Sequence, residues 1–296
     1  MPVNFLVIGH ISHDRVPAGF RLGGTVSYAA VTARRLGWQP GMLTRATLGG
    51  LAPCAADDGC GNATGLPDSP LEGIPICLLP CTLSTTFYNI YRDGSRTQVL
   101  ESLADPIGPE TLPPAWAGAQ VVLLGPVARE VPPDWSQAFP KALVGITPQG
   151  WMRQWNAAGH VRPAPWENAD GFLQRADAVI FSREDVGGDD LFIAHLARRA
   201  RLLVVTDGWR GATLYQEGLS YHVSPRASQE VDPTGAGDVF AAAFLIRLAE
   251  TGDPLDSVRF ANVAASLSVE ADGMAAIPYR QRIEDWLRAE PPRAAI

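Results

Sequence analysis

The chain has 296 residues, 46% hydrophobic and 19% charged, with a formal net charge of -7. That is enough for one large α/β domain or two ordinary ones, with a sizeable core. The acidic balance and the lack of a basic run argue against nucleic acid as a partner. No apolar stretch reaches the roughly 18 residues that span a bilayer, so a cytoplasmic protein with no membrane contact is expected.

In chain order, Val3 to Gly9 is an apolar run ending in glycine, the pattern of a buried parallel strand. His10-Ile11-Ser12-His13-Asp14 then falls at the strand's C-terminal end, which in open α/β sheets faces the ligand crevice. Asp14 is either a turn residue or a ligand there. His10 and His13 lack a third ligand for zinc. Leu22-Gly23-Gly24-Thr25 opens a helix predicted over Val26 to Leu36. Its two glycines permit close approach of the backbone to a ligand, or only a tight turn.

Leu48 to Pro75 is rich in Gly, Pro, Asp and Cys and is expected to be mostly loop. Gly59-Cys60-Gly61 with Gly65 is out of register for a dinucleotide fingerprint and follows no strand. Of Cys54, Cys60, Cys77 and Cys81, only the last two are close enough for half a zinc site, so ordinary thiols are expected. Thr85 to Tyr91 and Arg96 to Leu100 are strand-like, with Asp93-Gly94 between them. That predicts a hairpin.

From about residue 119 the pattern alternates. Strands are predicted at Gln120–Leu124, Ala142–Ile146, Ala178–Phe181 and Leu202–Thr206, with a helix at Asp189–Ala200. Strands alternating with helices imply a parallel sheet with right-handed crossovers. Thr147 to Trp151, directly after a strand, reads as a ligand-side loop. In Ser182-Arg183-Glu184-Asp185, the acidic pair Glu184 and Asp185 either holds Mg²⁺ through water or caps the next helix. Thr206 to Ala212 reads as a strand–turn–strand bent at its glycines. Leu255 to Glu270 is helical and carries Asn262.

The most informative stretch is Asp232-Pro233-Thr234-Gly235-Ala236-Gly237-Asp238, followed by the apolar helix that begins at Val239. A small-residue turn at a helix start presents free backbone N–H groups, aided by the helix dipole, and makes an anion site. A carboxylate in that place is unfavourable for holding phosphate alone. It makes sense if Asp238 takes a proton from a hydroxyl that then attacks the phosphate. The alternative is a buried helix capped by Thr234 or Asp232, whose glycines only allow close packing.

This motif resembles, residue for residue, the C-terminal signature of the ribokinase (PfkB) family of sugar kinases. The resemblance runs from Gly9 to about Gly273. It implies a ribokinase-like three-layer α/β sandwich with a central mostly parallel sheet. The whole chain, 1–296, would be one such domain, with a small β lid from about 14–23 and 84–101. Asp238 would be the catalytic base, and Gly235, Ala236 and Gly237 the anion hole. Asp14, Gly23 and Gly24 would bind the acceptor. Thr206, Gly208 and Gly211 match a Thr-x-Gly-x-x-Gly stretch that borders ATP. Ser182 and Asn262 fall at further nucleotide-binding positions.

Two departures stand out. Tyr28 occupies a place where the family often has Asn. Ser182 and Asp185 replace an Asn and Glu three apart. Within the family, the combination of His13-Asp14, Leu22-Gly23-Gly24, Thr85-Thr86-Phe87 and Asp232-Pro233-Thr234 looks most like plant inositol kinases. The function implied is an ATP-dependent kinase acting on a sugar or polyol hydroxyl, with Mg²⁺ and with a monovalent cation left open, as a monomer or homodimer. A non-catalytic sugar- or nucleotide-binding protein on the same scaffold is the alternative. No P-loop is present.

Overall fold

The computed structural model describes residues 2–16, 19–48, 63–64, 69–92 and 95–289. Asp93-Gly94, Cys54, Cys60 and Gly59 to Gly61 lie outside the described residues. The first half of the chain forms β1 (Phe5–Ile8), β2 (Ser12–Val16), β3 (Gly19–Gly23), α1 (Thr25–Arg35), β4 (Pro40–Arg45), β5 (Ala63–Thr64), β6 (Pro75–Leu79), β7 (Thr86–Arg92) and β8 (Ser95–Ser102). Next come β9 (Val121–Leu124), β10 (Leu143–Ile146), β11 (Arg153–Trp155), β12 (Val161–Pro163), α2 (Ala169–Leu173), β13 (Ala178–Ser182) and α3 (Asp190–Ala197). The last elements are β14 (Leu203–Thr206), β15 (Ala212–Gln216), β16 (Leu219–Val223), α4 (Ala236–Thr251), α5 (Pro254–Ser268) and α6 (Arg280–Ala289).

The central sheet has ten strands in the order β16-β15-β14-β13-β10-β9-β1-β4-β6-β5. From β14 to β6 every pair is parallel, and both flanks are antiparallel. The central strands are continuous apolar runs because both faces of the sheet are covered. Their side chains alternate between two cores. Phe5, Val7, Val121, Leu123 and Ile180 face α1, α4 and α5. Leu6, Ile8, Val122, Leu124 and Val179 face α2, α3 and a cluster that includes Trp116, Trp135, Trp151 and Trp166. The chain is therefore an α/β sandwich of three layers, as expected.

A second sheet of four strands, β3-β2-β7-β8, lies apart from the first. It consists of two antiparallel hairpins joined by the parallel pair β2–β7. Phe87 and Leu100 of this sheet pack on Val127 and Ala128, in the loop after β9. The hairpin expected around Asp93-Gly94 is present as the β7–β8 pair. Helical crossovers are fewer than the alternation implied. Between β9 and β10 the chain makes only a 3-10 turn at Pro133–Gln137, and prolines and tryptophans fill that layer. The short strands β5, β11, β12 and β16 are too small or too polar to show in the sequence pattern.

Helix α4 is the central packing element. Nine of its residues are buried, from Val239 to Leu248. It is covered by the sheet on one side and by α1 and α5 on the others. Leu245 sits directly over Gly145 of β10, where any Cβ would collide with it. Gly252, at φ 69, ends the helix in the left-handed conformation that glycine adopts without strain. The Asp253 side chain then caps α5 by accepting from Leu255 N and Asp256 N.

Candidate active site

Strand β2, the C-terminal ends of β10, β13 and β14 and the starts of α1 and α4 border one cavity of about 1880 Å³. Asp14, Gly24, Ser182, Glu184, Asp185, Thr206, Gly208, Gly211, Gly235 to Asp238 and Asn262 all line it. The site residues read from separate parts of the sequence therefore meet, with Gly23 directly behind Asp14.

At the start of α4, Gly235 is left-handed at φ 78 and no side chain caps the helix. Asp232 shapes the turn before it, its Oδ1 accepting from Thr234 N at 3.0 Å. The Ala236 amide does not face the cavity as a spare donor; it donates to Pro233 O at 3.2 Å. The amides of Gly235, Gly237 and Asp238 donate to no acceptor among the described residues. Gly237 is exposed, and Asp238 is half-buried. This is an anion-binding geometry: unspent N–H groups at the positive end of a helix dipole.

The Asp238 carboxyl is pushed up to about 6, chiefly by burial. A hydrogen bond from the Thr25 side chain opposes the shift, the charge of Asp185 adds to it, and Arg153 opposes it. A carboxyl so placed can take up a proton near neutral pH and still be ionised at rest.

Asp14 and the di-glycine form one arrangement. A Cβ on Gly23 would come within 2.6 Å of Asp14 Oδ2 and 2.9 Å of Ser12 Oγ. Gly24, at φ 86, presses against His10 O and leaves no space for a side chain. His10 itself is fully buried. Its Nδ1 meets Thr85 Oγ1 at 2.7 Å and its Nε2 meets Asp105 O at 3.0 Å, so both ring nitrogens are spent inside the protein. Burial holds its pKa down. Among the described residues no three His, Cys, Asp or Glu side chains cluster as a metal site.

At the other end of the cavity, Ser182 Oγ accepts from Glu184 N at 3.2 Å, and Asp185 Oδ2 accepts from Ser182 N at 2.9 Å. Asp185 Oδ1 accepts from Gln149 Nε2 at 2.7 Å. The capping arrangement that the sequence left open is thus present. The Asp185 carboxylate retains lone pairs for further donors, and Glu184 is exposed beside it. Hard carboxylate oxygens of this kind fit Mg²⁺, which keeps most of its waters and takes one or two carboxylates beside phosphates.

Thr206 ends β14, and Gly208 and Gly211 bend the chain at φ 52 and 97 before β15. Arg210 grips Asp207 through two bonds of 2.7 and 2.8 Å, which holds the Asp207 carboxyl below its ordinary range. Asn262 is not an exposed helix residue. It is 6% exposed, and its Nδ2 donates to Val223 O at 2.9 Å, tying α5 to β16.

Two contributors, Arg153 and Glu130, had no clear sequence signal. Arg153 on β11 lines the cavity, with its guanidinium 5.8 Å from the Phe87 ring and Nη1 donating to Val127 O at 3.2 Å. Buried Glu130 accepts from the amides of His10, Val127 and Ala128 at 2.7–3.0 Å and so fixes the loop under the small sheet. Tyr28, where a smaller polar side chain would leave room, is 2% exposed, and its ring lies against the α-carbon of Gly235. Burial pushes the Tyr28 hydroxyl pKa up.

An α/β sandwich with a small second sheet beside a carboxylate at an open helix start defines a class, the ribokinase-like proteins. Comparison with known proteins agrees. The sequence profile of the pfkB family carbohydrate kinases matches residues 177–280. A fructokinase of Klebsiella pneumoniae is 30% identical over 226 residues, which cover 68% of this chain and 72% of that protein. A pyrophosphate-dependent kinase of the ribokinase family, in complex with a pyrophosphate analogue and myo-inositol, superposes with a TM-score of 0.74 at 22% identity, over 95% of this chain and 99% of that one. The ribokinase of Arabidopsis thaliana, in complex with ribose and ATP, superposes with a TM-score of 0.68 at 20% identity, over 97% of this chain and 99% of that one. The chain belongs to the PfkB family: it is a carbohydrate kinase, a phosphotransferase with an alcohol acceptor. No helix among the described residues is long and apolar enough to cross a membrane.

Proposed function

We propose that the protein transfers the γ-phosphoryl group of ATP to a hydroxyl of a sugar or polyol, with Asp238 as general base. The observation that carries this reading is the start of α4, where a carboxyl with a raised pKa stands beside unspent amides inside a cavity that also holds Asp14. Asp14 and the di-glycine backbone orient the acceptor hydroxyls. Asp238 takes the proton of the attacking hydroxyl as its oxygen bonds to phosphorus, and the bond from phosphorus to the leaving phosphate oxygen breaks. The amides of Gly235, Gly237 and Asp238 bind the charge on the transferred group. Glu184 and Asp185 would hold Mg²⁺, which when bound would supply neutralising charge for the donor phosphates. The small sheet, with Phe87 toward the cavity, is the lid over the acceptor.

The choice of ATP is supported by the reach of the cavity. It runs past Thr206 and Gly211 to Val223, Pro225, Asn262 and Val263, farther than two phosphates require. A ring polyol such as inositol and a fructose-type sugar are the acceptors to try first. The test is a transfer assay with Mg²⁺ and either ATP or pyrophosphate, run across fructose, ribose, myo-inositol and nucleosides. Turnover with ATP supports the reading, and turnover with pyrophosphate alone sinks the donor assignment.

A further inference from the structure

The small sheet sends two neighbouring side chains to two different parts of the site. Asp14 on β2 and Arg21 on β3 are direct partners in the antiparallel register, so both leave the sheet on one face. Asp14 lines the cavity. Arg21 reaches instead to the turn that opens α4. Its Nη1 donates to Asp232 Oδ2 at 3.1 Å and to Asp272 Oδ1 at 3.4 Å, and its Nη2 donates to Thr234 Oγ1 at 3.4 Å.

Asp232 is the hub of this contact. Its side chain is 11% exposed, Oδ1 accepts from Thr234 N, and Oδ2 also accepts from Gly273 N at 3.2 Å. Without the guanidinium, the Asp232 carboxylate would keep the amides of Thr234 and Gly273 but lose the group that ties its turn to the small sheet. Arg21 Nε is buried with no hydrogen-bond partner. A partly exposed ion pair with two long bonds contributes little to stability, which makes a purely structural role a poor account of it.

We propose that Arg21 is a positioning residue for phosphoryl transfer: it holds the turn from Asp232 to Gly235 in register with the acceptor that Asp14 binds. One cross-strand pair then sets the separation of the two reaction partners. The inference rests on the reading of Gly235 to Asp238 as the phosphoryl site.

The test uses the full chain with Arg21→Ala, Arg21→Lys and, in parallel, Asp238→Asn, assayed with the donor and acceptor that the wild type turns over. Misplacing reacting groups by about 1 Å costs roughly 10²-fold, so kcat of Arg21→Ala should fall about 10–100-fold. KM values for both substrates should stay near wild type, because the loss is in the transition state. The thermal midpoint should hold, Arg21→Lys should recover part of kcat, and millimolar guanidinium ion should partly rescue Arg21→Ala. A wild-type kcat overturns the proposal. So does a loss that only tracks unfolding, or one that guanidinium does not reverse. If Asp238→Asn also keeps full kcat, the phosphoryl-site reading itself fails. If only the Arg21 variants behave as wild type, that reading stands and the role of Arg21 falls.

Discussion

Helices α1 and α4 begin at the same crevice, both after a glycine in the left-handed region, and both without a side-chain cap. They differ in what surrounds that glycine. At α1, Gly24 is pressed on the His10 carbonyl, and every residue from Thr25 to Tyr28 is buried. Its first turn carries no acidic residue. At α4, one side of Gly235 is closed by the Tyr28 ring, but Gly237 is exposed and Asp238 stands in the first turn. The same local device is thus packed tightly around its glycine in one place and left with unspent amides in the other. Tyr28 links them, since it belongs to α1 and closes α4. A glycine permits close approach; the tertiary structure decides what approaches.

The largest effect should come from the carboxylate that only α4 has. General-base assistance contributes about 10²–10⁴ in rate, or roughly 3–5 kcal/mol, so Asp238→Asn should lose that much kcat with little change in either KM. The variant should also be more heat-stable at alkaline pH. The folded-state pKa of Asp238 lies above its unfolded value, so the native state binds the proton more tightly, and stability falls as pH rises from about 4 to about 6. Asn avoids that penalty. Its gain in Tm should be full above about pH 6 and vanish below about pH 4; an equal Tm at alkaline pH would contradict the burial of this carboxylate.

Next in size is Gly235→Ala. A left-handed non-glycine residue costs on the order of 1–3 kcal/mol, and here the new methyl also strikes the Tyr28 ring. Denaturant unfolding should show a loss that Tyr28→Ala partly relieves in the double variant. Simple additivity would show that Tyr28 does not close this turn.

A third, smaller effect is on pH. A base must be ionised to act, so kcat/KM should fall about tenfold per pH unit below a pKa near 6 and level off above it. Asp185 raises this pKa, so Asp185→Asn should move the limb to lower pH; an unmoved limb would separate the two carboxylates.

The smallest effect lies in the lid. Phe87 is 3% exposed and lines the cavity, whereas Tyr88 is 38% exposed beneath Arg15. Phe87→Ala should raise the acceptor KM several-fold while Tyr88→Ala leaves it close to wild type. Equal effects on the acceptor and ATP constants would deny the lid its place over the acceptor.

Local pattern alone carried the sheet and the acidic, glycine-rich helix start. Apolar runs such as Val121–Leu124 and Leu203–Val205, bounded by turn signals and alternating with helices, read as buried parallel strands, and Asp232 to Asp238 followed by a largely apolar helix admits few readings. The hairpin around Asp93-Gly94 was equally legible, because strand propensity and turn chemistry agree there. What the sequence did not contain was distance across the fold. Nothing local marks Arg153, which reaches the cavity from a three-residue strand, or Glu130, which is stable as a buried carboxylate only because three amides converge on it. Nothing local shows that Asn262 is buried, because its partner strand β16 is too polar to be read as a strand. The Ala236 amide counted as a donor until the turn spent it on Pro233. Periodicity and turn chemistry act over a few residues and are written in the chain. Which amides stay unspent, and which charges compensate each other across two hundred residues, follows from packing alone.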